Sequence, residues 1–139
     1  MILLLEFFKK LLDLGILKDR YFGIQSQPGH PINIVNITNN EGIQNATRFA
    51  MSAYNNQTND IFVFKVKRFN NATVQVVKGY KYVVEAVIGR TTCRKGKPFN
   101  FKDCPFQPKP PLNREFVCYY TVWSIPWEKK WILLSLKCQ

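Results

Sequence analysis

The sequence predicts an α+β domain in which one long helix packs across a curved antiparallel sheet of four to five strands. Three observations carry this. Apolar residues recur at helical spacing between Ile43 and Tyr54, and from Ile61 onward the period drops to two. Two long β-rich runs then meet at a reversal marked by Gly79, and two more follow on either side of a Pro126-Trp127 turn. A helix laid on such a sheet buries the apolar faces of both. A chain of 139 residues with 46% hydrophobic content is long and apolar enough for one core, and no internal repeat or linker divides it.

The first segment, residues 1–25, stands apart from the domain predicted for residues 26–139. An export signal needs an apolar core of roughly 7 to 15 residues. Here Glu6 interrupts Met1–Leu5, and Lys9, Lys10 and Asp13 follow. Leu4, Phe7, Phe8, Leu11, Leu12 and Leu14 lie instead on one helical stripe opposite Glu6, Lys10 and Asp13. The stripe is too short and too charged to span a membrane. It reads as an atypical signal or a misassigned first exon, as a helix packed on the domain, or as one resting at a membrane surface.

Within the domain, Ile32, Ile34 and Asn36 alternate as a short strand after Pro28–Pro31. Asn39 or Asn40 caps a helix whose Ile43, Ala46, Ala50, Ala53 and Tyr54 share a face, with Phe49 at its border, and which ends near Asn55 or Asn56. Phe62, Phe64 and Val66 then oppose Val63, Lys65 and Lys67 in a strand running to Val77. Tyr80–Thr92 forms the next strand, with Tyr82, Val84, Ala86 and Ile88 aligned. Lys95–Asn113, rich in Pro and Lys, is a long surface loop. Phe116–Ser124 and Trp131–Lys137 are the last two strands.

The reversal at residues 74–80 is unusual in its chemistry. Hairpin tips favour Asn, Asp or Gly, which accept the backbone angles and the surrounding water. Val76 and Val77 stand here, with Gly79 supplying the permissive backbone and Gln75 an amide able to bridge strand and loop. An exposed apolar hairpin is a surface meant for burial in a partner.

Charge, cysteines and sequons set further limits. The net charge of +11 suits a polyanion surface, yet the basic residues are scattered and no run of five like charges occurs. Solubility and steering account for such a charge, with a polyanion contact along Arg94, Lys95, Lys97, Lys102 and Lys109 as a secondary trait; no nucleic acid is expected as partner. The four cysteines, Cys93, Cys104, Cys118 and Cys138, allow three pairings and lack paired Cys-x-x-Cys spacing for zinc. Asn36, Asn45, Asn56 and Asn71 each open an Asn-x-Thr sequon, where about one would arise by chance. Together they indicate an oxidising, secretory compartment.

Catalysis finds no support. His30 is the single histidine, set between Gly29 and Pro31, and a nucleophile needs a positioned base. Asp60, Glu85, Asp103 and Glu115 show no acid–base spacing, and neither a cofactor nor a metal is expected.

Gln75, Val77 and Gly79 match the Gln-x-Val-x-Gly loop of the cystatins, protein inhibitors of papain-like cysteine proteases. Pro28-Gly29-His30-Pro31 resembles the family's glycine-bearing trunk, and Pro126-Trp127 its second hairpin. The cysteine spacing is that of the secreted, type 2 branch, and the likeness covers roughly residues 28–138. It implies Cys93–Cys104 and Cys118–Cys138 disulfides. It also implies a wedge of Gly29, Gln75, Val76, Val77, Lys78, Gly79, Pro126 and Trp127 that enters a protease cleft without chemistry, giving reversible, competitive inhibition of papain-like enzymes (cathepsins). Thr58-Asn59-Asp60 resembles the loop with which some type 2 members block legumain, with Asn59 as the residue entering that enzyme. The resemblance places the protein outside the cell or in the endolysosomal system. Within the branch, Ile88–Cys93 and Val122-Trp123 point to a subgroup known for a disulfide-linked dimer, but Gln57 stands where that subgroup has a cysteine, and no cysteine precedes Cys93. A monomer is expected, with domain swapping through the hairpin left open. The rival functions are a non-inhibitory binding module of the same fold and a basic, polyanion-binding secreted protein.

Overall fold

Asn40 starts the helix, its Oδ1 accepting from the Ile43 N–H at 2.9 Å, and helix α1 (Glu41–Gln57) closes on Thr58. These elements belong to a computed structural model that describes residues 29–139; the amino-terminal stripe and the Pro28 part of the trunk lie outside the described residues. Ile43, Ala46, Thr47, Ala50, Met51 and Asn55 are the buried residues of α1. With Tyr54, which packs on the core, their spacing is the full helical stripe of steps of three and four.

Five strands form one antiparallel sheet in chain order: β1 (Ile32–Asn33), β2 (Phe62–Val77), β3 (Gly79–Arg94), β4 (Glu115–Ile125) and β5 (Lys130–Cys138). Every connection is therefore between neighbours, and β2 and β3 make one hairpin paired from Phe62↔Arg94 to Val77↔Gly79. Helix α1 covers one face. Its apolar stripe meets Tyr82, Val84, Ala86 and Ile88 of β3 and Cys118, Tyr120 and Val122 of β4 in a single buried cluster. Thr47 enters that cluster because its hydroxyl pairs with Tyr120 OH at 2.7 Å, and burial pushes the Tyr120 phenol far above its ordinary pKa.

Three expectations need correction. The first strand stops at Asn33: Asn36 adopts φ 54°, a left-handed conformation that Asn tolerates, and turns the chain into a 3-10 helix at Ile37–Asn39. Strict alternation in β2 fails past Val66, because bulges at Val66/Arg68 and Phe69/Asn71 bring Val66, Phe69 and Ala72 to the core in steps of three. The 95–113 segment is also more than a surface loop. It returns along the edge of β3 past Gly89, where pairing with β4 ends, through a Phe106↔Thr91 bridge and a Gln107 N–H to Arg90 C=O bond, and lays the Phe106 ring over buried Gly89.

Both disulfides join the pairs implied by the resemblance. Cys93–Cys104 staples the returning loop to β3, and Cys118–Cys138 links paired positions of β4 and β5. Each crosslink stabilises by about 2–4 kcal/mol, mainly through the unfolded chain.

Candidate functional site

Three separated stretches meet at one end of the sheet. The β2–β3 hairpin turns at Lys78, and Gly79 has φ +84°, so an L side chain would be strained there. Gly79 is also pressed against β4: a Cβ at this position would lie 2.1 Å from Ser124 O. This contact brings the hairpin tip beside the end of β4, where the chain enters a 3-10 turn at Pro126–Glu128 and leaves it through Lys129 in the left-handed region.

Polar fastenings hold the arrangement from behind. The indole N–H of buried Trp123 donates to Lys78 C=O at 2.6 Å, and the Lys78 ammonium meets Glu128 at 2.9 Å. That contact, helped by Lys130, holds the Glu128 carboxyl below its ordinary pKa. On the other side the Gly29 N–H donates to Val76 C=O at 2.9 Å, seating the trunk along the edge of β2. A Cβ on Gly29 would make only an ordinary 3.6 Å contact with Val76. Nothing described within the chain requires glycine there.

The result is an apolar ridge. Val76 is 53% and Trp127 65% exposed, with Pro126 exposed between the strands and Val77 half-buried. Gln75 stays in the ladder opposite Lys81, and its amide bridges to no other described residue. All eight residues of the expected wedge thus lie within one neighbourhood. Two residues, Trp123 and Glu128, support the wedge in a way not expected from the sequence. An indole three positions before Pro126, in the strand that leads into the turn, was the available signal.

Asn59 lies at the opposite end of the hairpin. Beta strand β2 is 16 residues long, so on the order of 50 Å of strand separates this loop from the ridge. Asn59 is exposed, and its neighbours are fastened by charge. Asp60 receives Arg90 Nε at 3.0 Å and the Phe62 N–H at 2.9 Å, while Lys95 Nζ donates to Thr58 C=O at 2.7 Å. Partial burial pushes the Asp60 carboxyl up, but the hydrogen bonds from Arg90 and Phe62, with the charges of Arg90 and Lys95, outweigh it and leave the pKa lowered. Of the sequon residues, Asn36, Asn56 and Asn71 are exposed, whereas Asn45 is half-buried and accepts from Arg48.

Comparison with known proteins agrees with the fold. A family model described as the cystatin domain matches residues 29–127. Mouse (Mus musculus) cystatin-F is 47% identical over 113 residues, covering 81% of this chain and 77% of its own. The human (Homo sapiens) cystatin-F is 42% identical over 112 residues, covering 81% and 76%. A crystal structure of dimeric human cystatin F superimposes with a TM-score of 0.75 at 41% identity, covering 83% of this chain and 90% of that one.

Proposed function

The chain belongs to the cystatin family, whose members are cysteine-protease inhibitors and not enzymes, and from that premise we propose that it is a reversible, competitive inhibitor of papain-like proteases, the cathepsins among them. The observation carrying this reading is the exposed ridge of Val76, Pro126 and Trp127 on a backbone fastened from behind. Exposed apolar side chains on a stiff support lose little conformational freedom when a cleft buries them, so the burial converts efficiently into affinity. Gly29 fits the same reading, because its lack of a side chain serves nothing described inside the molecule and so serves the approach to a partner. No bond of the inhibitor is cut. The ridge occupies the cleft, and the complex dissociates intact.

Titration of papain and cathepsin L with the purified protein tests the proposal. Trp127→Ala should raise the inhibition constant about 30-fold, the equivalent of roughly 2 kcal/mol for a central aromatic anchor. An unaltered constant, with the fold intact by circular dichroism, removes Trp127 from the contact. Failure of the unaltered protein to inhibit either enzyme favours the non-inhibitory module.

A second inhibitory face rests on Asn59. Its exposure on a loop held by Asp60, Arg90 and Lys95 supports an Asn presented to the specificity pocket of legumain. The separation of the two ends means that papain and legumain would bind together, and Asn59→Ala should abolish only the legumain arm. The two disulfides and the exposed Asn36, Asn56 and Asn71 sequons support a glycosylated protein of the secretory or endolysosomal route. All four cysteines are engaged within the chain, which supports a monomer; a swapped dimer would appear as a second species in size-exclusion chromatography.

A further inference from the structure

An open groove of about 610 Å³ lies between the amino-terminal half of α1, the edge of β2 and the short 3-10 helix Phe101–Asp103. It exists because β1 pairs with β2 only at Thr73 and Val74, leaving the earlier part of that edge uncovered by strand. Arg48, Lys65, Lys67, Arg68 and Lys102 line it, and its lining includes no carboxylate. Among the described residues only Lys67 of these five pairs with an acid, Glu115. Lys65 Nζ donates to Phe101 C=O at 3.0 Å and lies 4.9 Å from the centre of the Phe106 ring, which holds the returning loop in place as one wall. The four apart from Lys67, paired with no acid among the described residues, repel one another across the cleft until an anion joins them.

We propose that this groove binds a sulfated polysaccharide chain. Its size lies in the range of built ligand sites, and its openness to solvent lets a polymer lie along it. Neutral donors and acceptors, Thr38, Gln44 and Asn100, stand among the cations, a mixture suited to sugar hydroxyls alternating with sulfates. The aromatic residues do not suit a nucleic acid. Phe69 packs against the core and Phe101 against Phe99, so neither offers a free platform for bases. The disulfides place the protein in an oxidising compartment, where sulfated polysaccharides rather than nucleic acids are the abundant polyanions. From Phe69 to Val77 is roughly 26 Å of strand, so a chain held in the groove leaves the apolar ridge uncovered.

Heparin-derived oligosaccharides binding to the full domain, followed by calorimetry across a salt series, test this. The unaltered protein should bind above physiological salt, with log affinity falling linearly with log salt as counterions are released. Arg48→Ser/Arg68→Ser/Lys102→Ser should lose at least tenfold in affinity and about three units of salt slope. A control of equal charge, Lys97→Ser/Lys109→Ser/Lys137→Ser, should stay within twofold. Thermal unfolding establishes that both variants fold. Equal weakening of the two variants overturns the groove in favour of net charge. Tighter binding of single-stranded DNA than of heparin at matched charge overturns the polysaccharide, and elution of the unaltered protein from heparin below physiological salt overturns both.

Discussion

At the Val77–Gly79 end of the β2–β3 hairpin the displayed side chains are apolar, and the Trp123 indole, the Lys78–Glu128 pair and a glycine pressed onto β4 fasten the tip from behind. At the Phe62–Arg94 end the displayed residue is polar, and an ion pair, a lysine and a disulfide secure the loop. The contrast follows from what each end presents. An apolar contact surface has to be held by groups that do not themselves occupy it, hence a carbonyl bonded from behind by Trp123 and a glycine pressed onto β4. A polar loop can carry its own charged fastenings, since these face the same water as Asn59. The two ends should therefore fail under different insults.

The largest expected effect is at Gly79. Alanine there must adopt a left-handed backbone, costing roughly 1–2 kcal/mol. Its methyl must also displace the β4 backbone at Ser124, adding about 1–3 kcal/mol. Gly79→Ala should lower the unfolding free energy in urea by about 3 kcal/mol and weaken papain inhibition with it, while the Asn59 loop keeps its hydrogen-exchange protection. Equal damage at both ends would mean that the hairpin responds as one unit.

Trp123→Phe is a finer probe. It removes one hydrogen bond to Lys78 C=O, worth about 1 kcal/mol, so papain inhibition should weaken about fivefold without change toward legumain. If the constant stays put, the Lys78–Glu128 pair alone suffices to hold the tip.

The smallest effect, and the one specific to the other end, is a pH response. Because the folded pKa of Asp60 lies below its unfolded value, the stability it contributes is present above the ordinary aspartate range near 4 and is lost as pH falls through the lowered folded value. Asp60→Asn should therefore cost about 1 kcal/mol at neutral pH and little in strong acid, flattening the acid limb of a stability–pH curve. Parallel curves for the two proteins would show that Asp60 stays uncoupled from folding.

Most of this architecture was legible because apolar periodicity and turn chemistry are local properties. The helix, the long hairpin, the last two strands and the apolar tip all announced themselves through Ile43, Gly79 and Val76. What escaped were polar residues with buried partners. Thr47 and Asn55 complete the helical stripe but look like solvent-facing residues until Tyr120 and Phe64 are opposite them. Bulges escaped too, since one inserted residue between Val66 and Arg68 brings Phe69 onto the core without altering composition. The groove was hidden for a related reason. Arg48, Arg68 and Lys102 are scattered in the chain and become neighbours only through folding, so the basic line read along residues 94–109 shared just Lys102 with it.

Asn55 has a wider implication. Its amide takes the Phe64 N–H at 2.8 Å and gives to the Phe64 C=O at 3.0 Å, the same two bonds that a sixth strand would make at that rung. A side chain thus impersonates a neighbouring strand on the one long border that β1 leaves bare. Intruding chains would first have to pry the carboxy-terminal turn of α1 off the sheet, so the molecule guards itself against fibrous self-association at the rung where apolar Val63 and Phe64 would otherwise invite it.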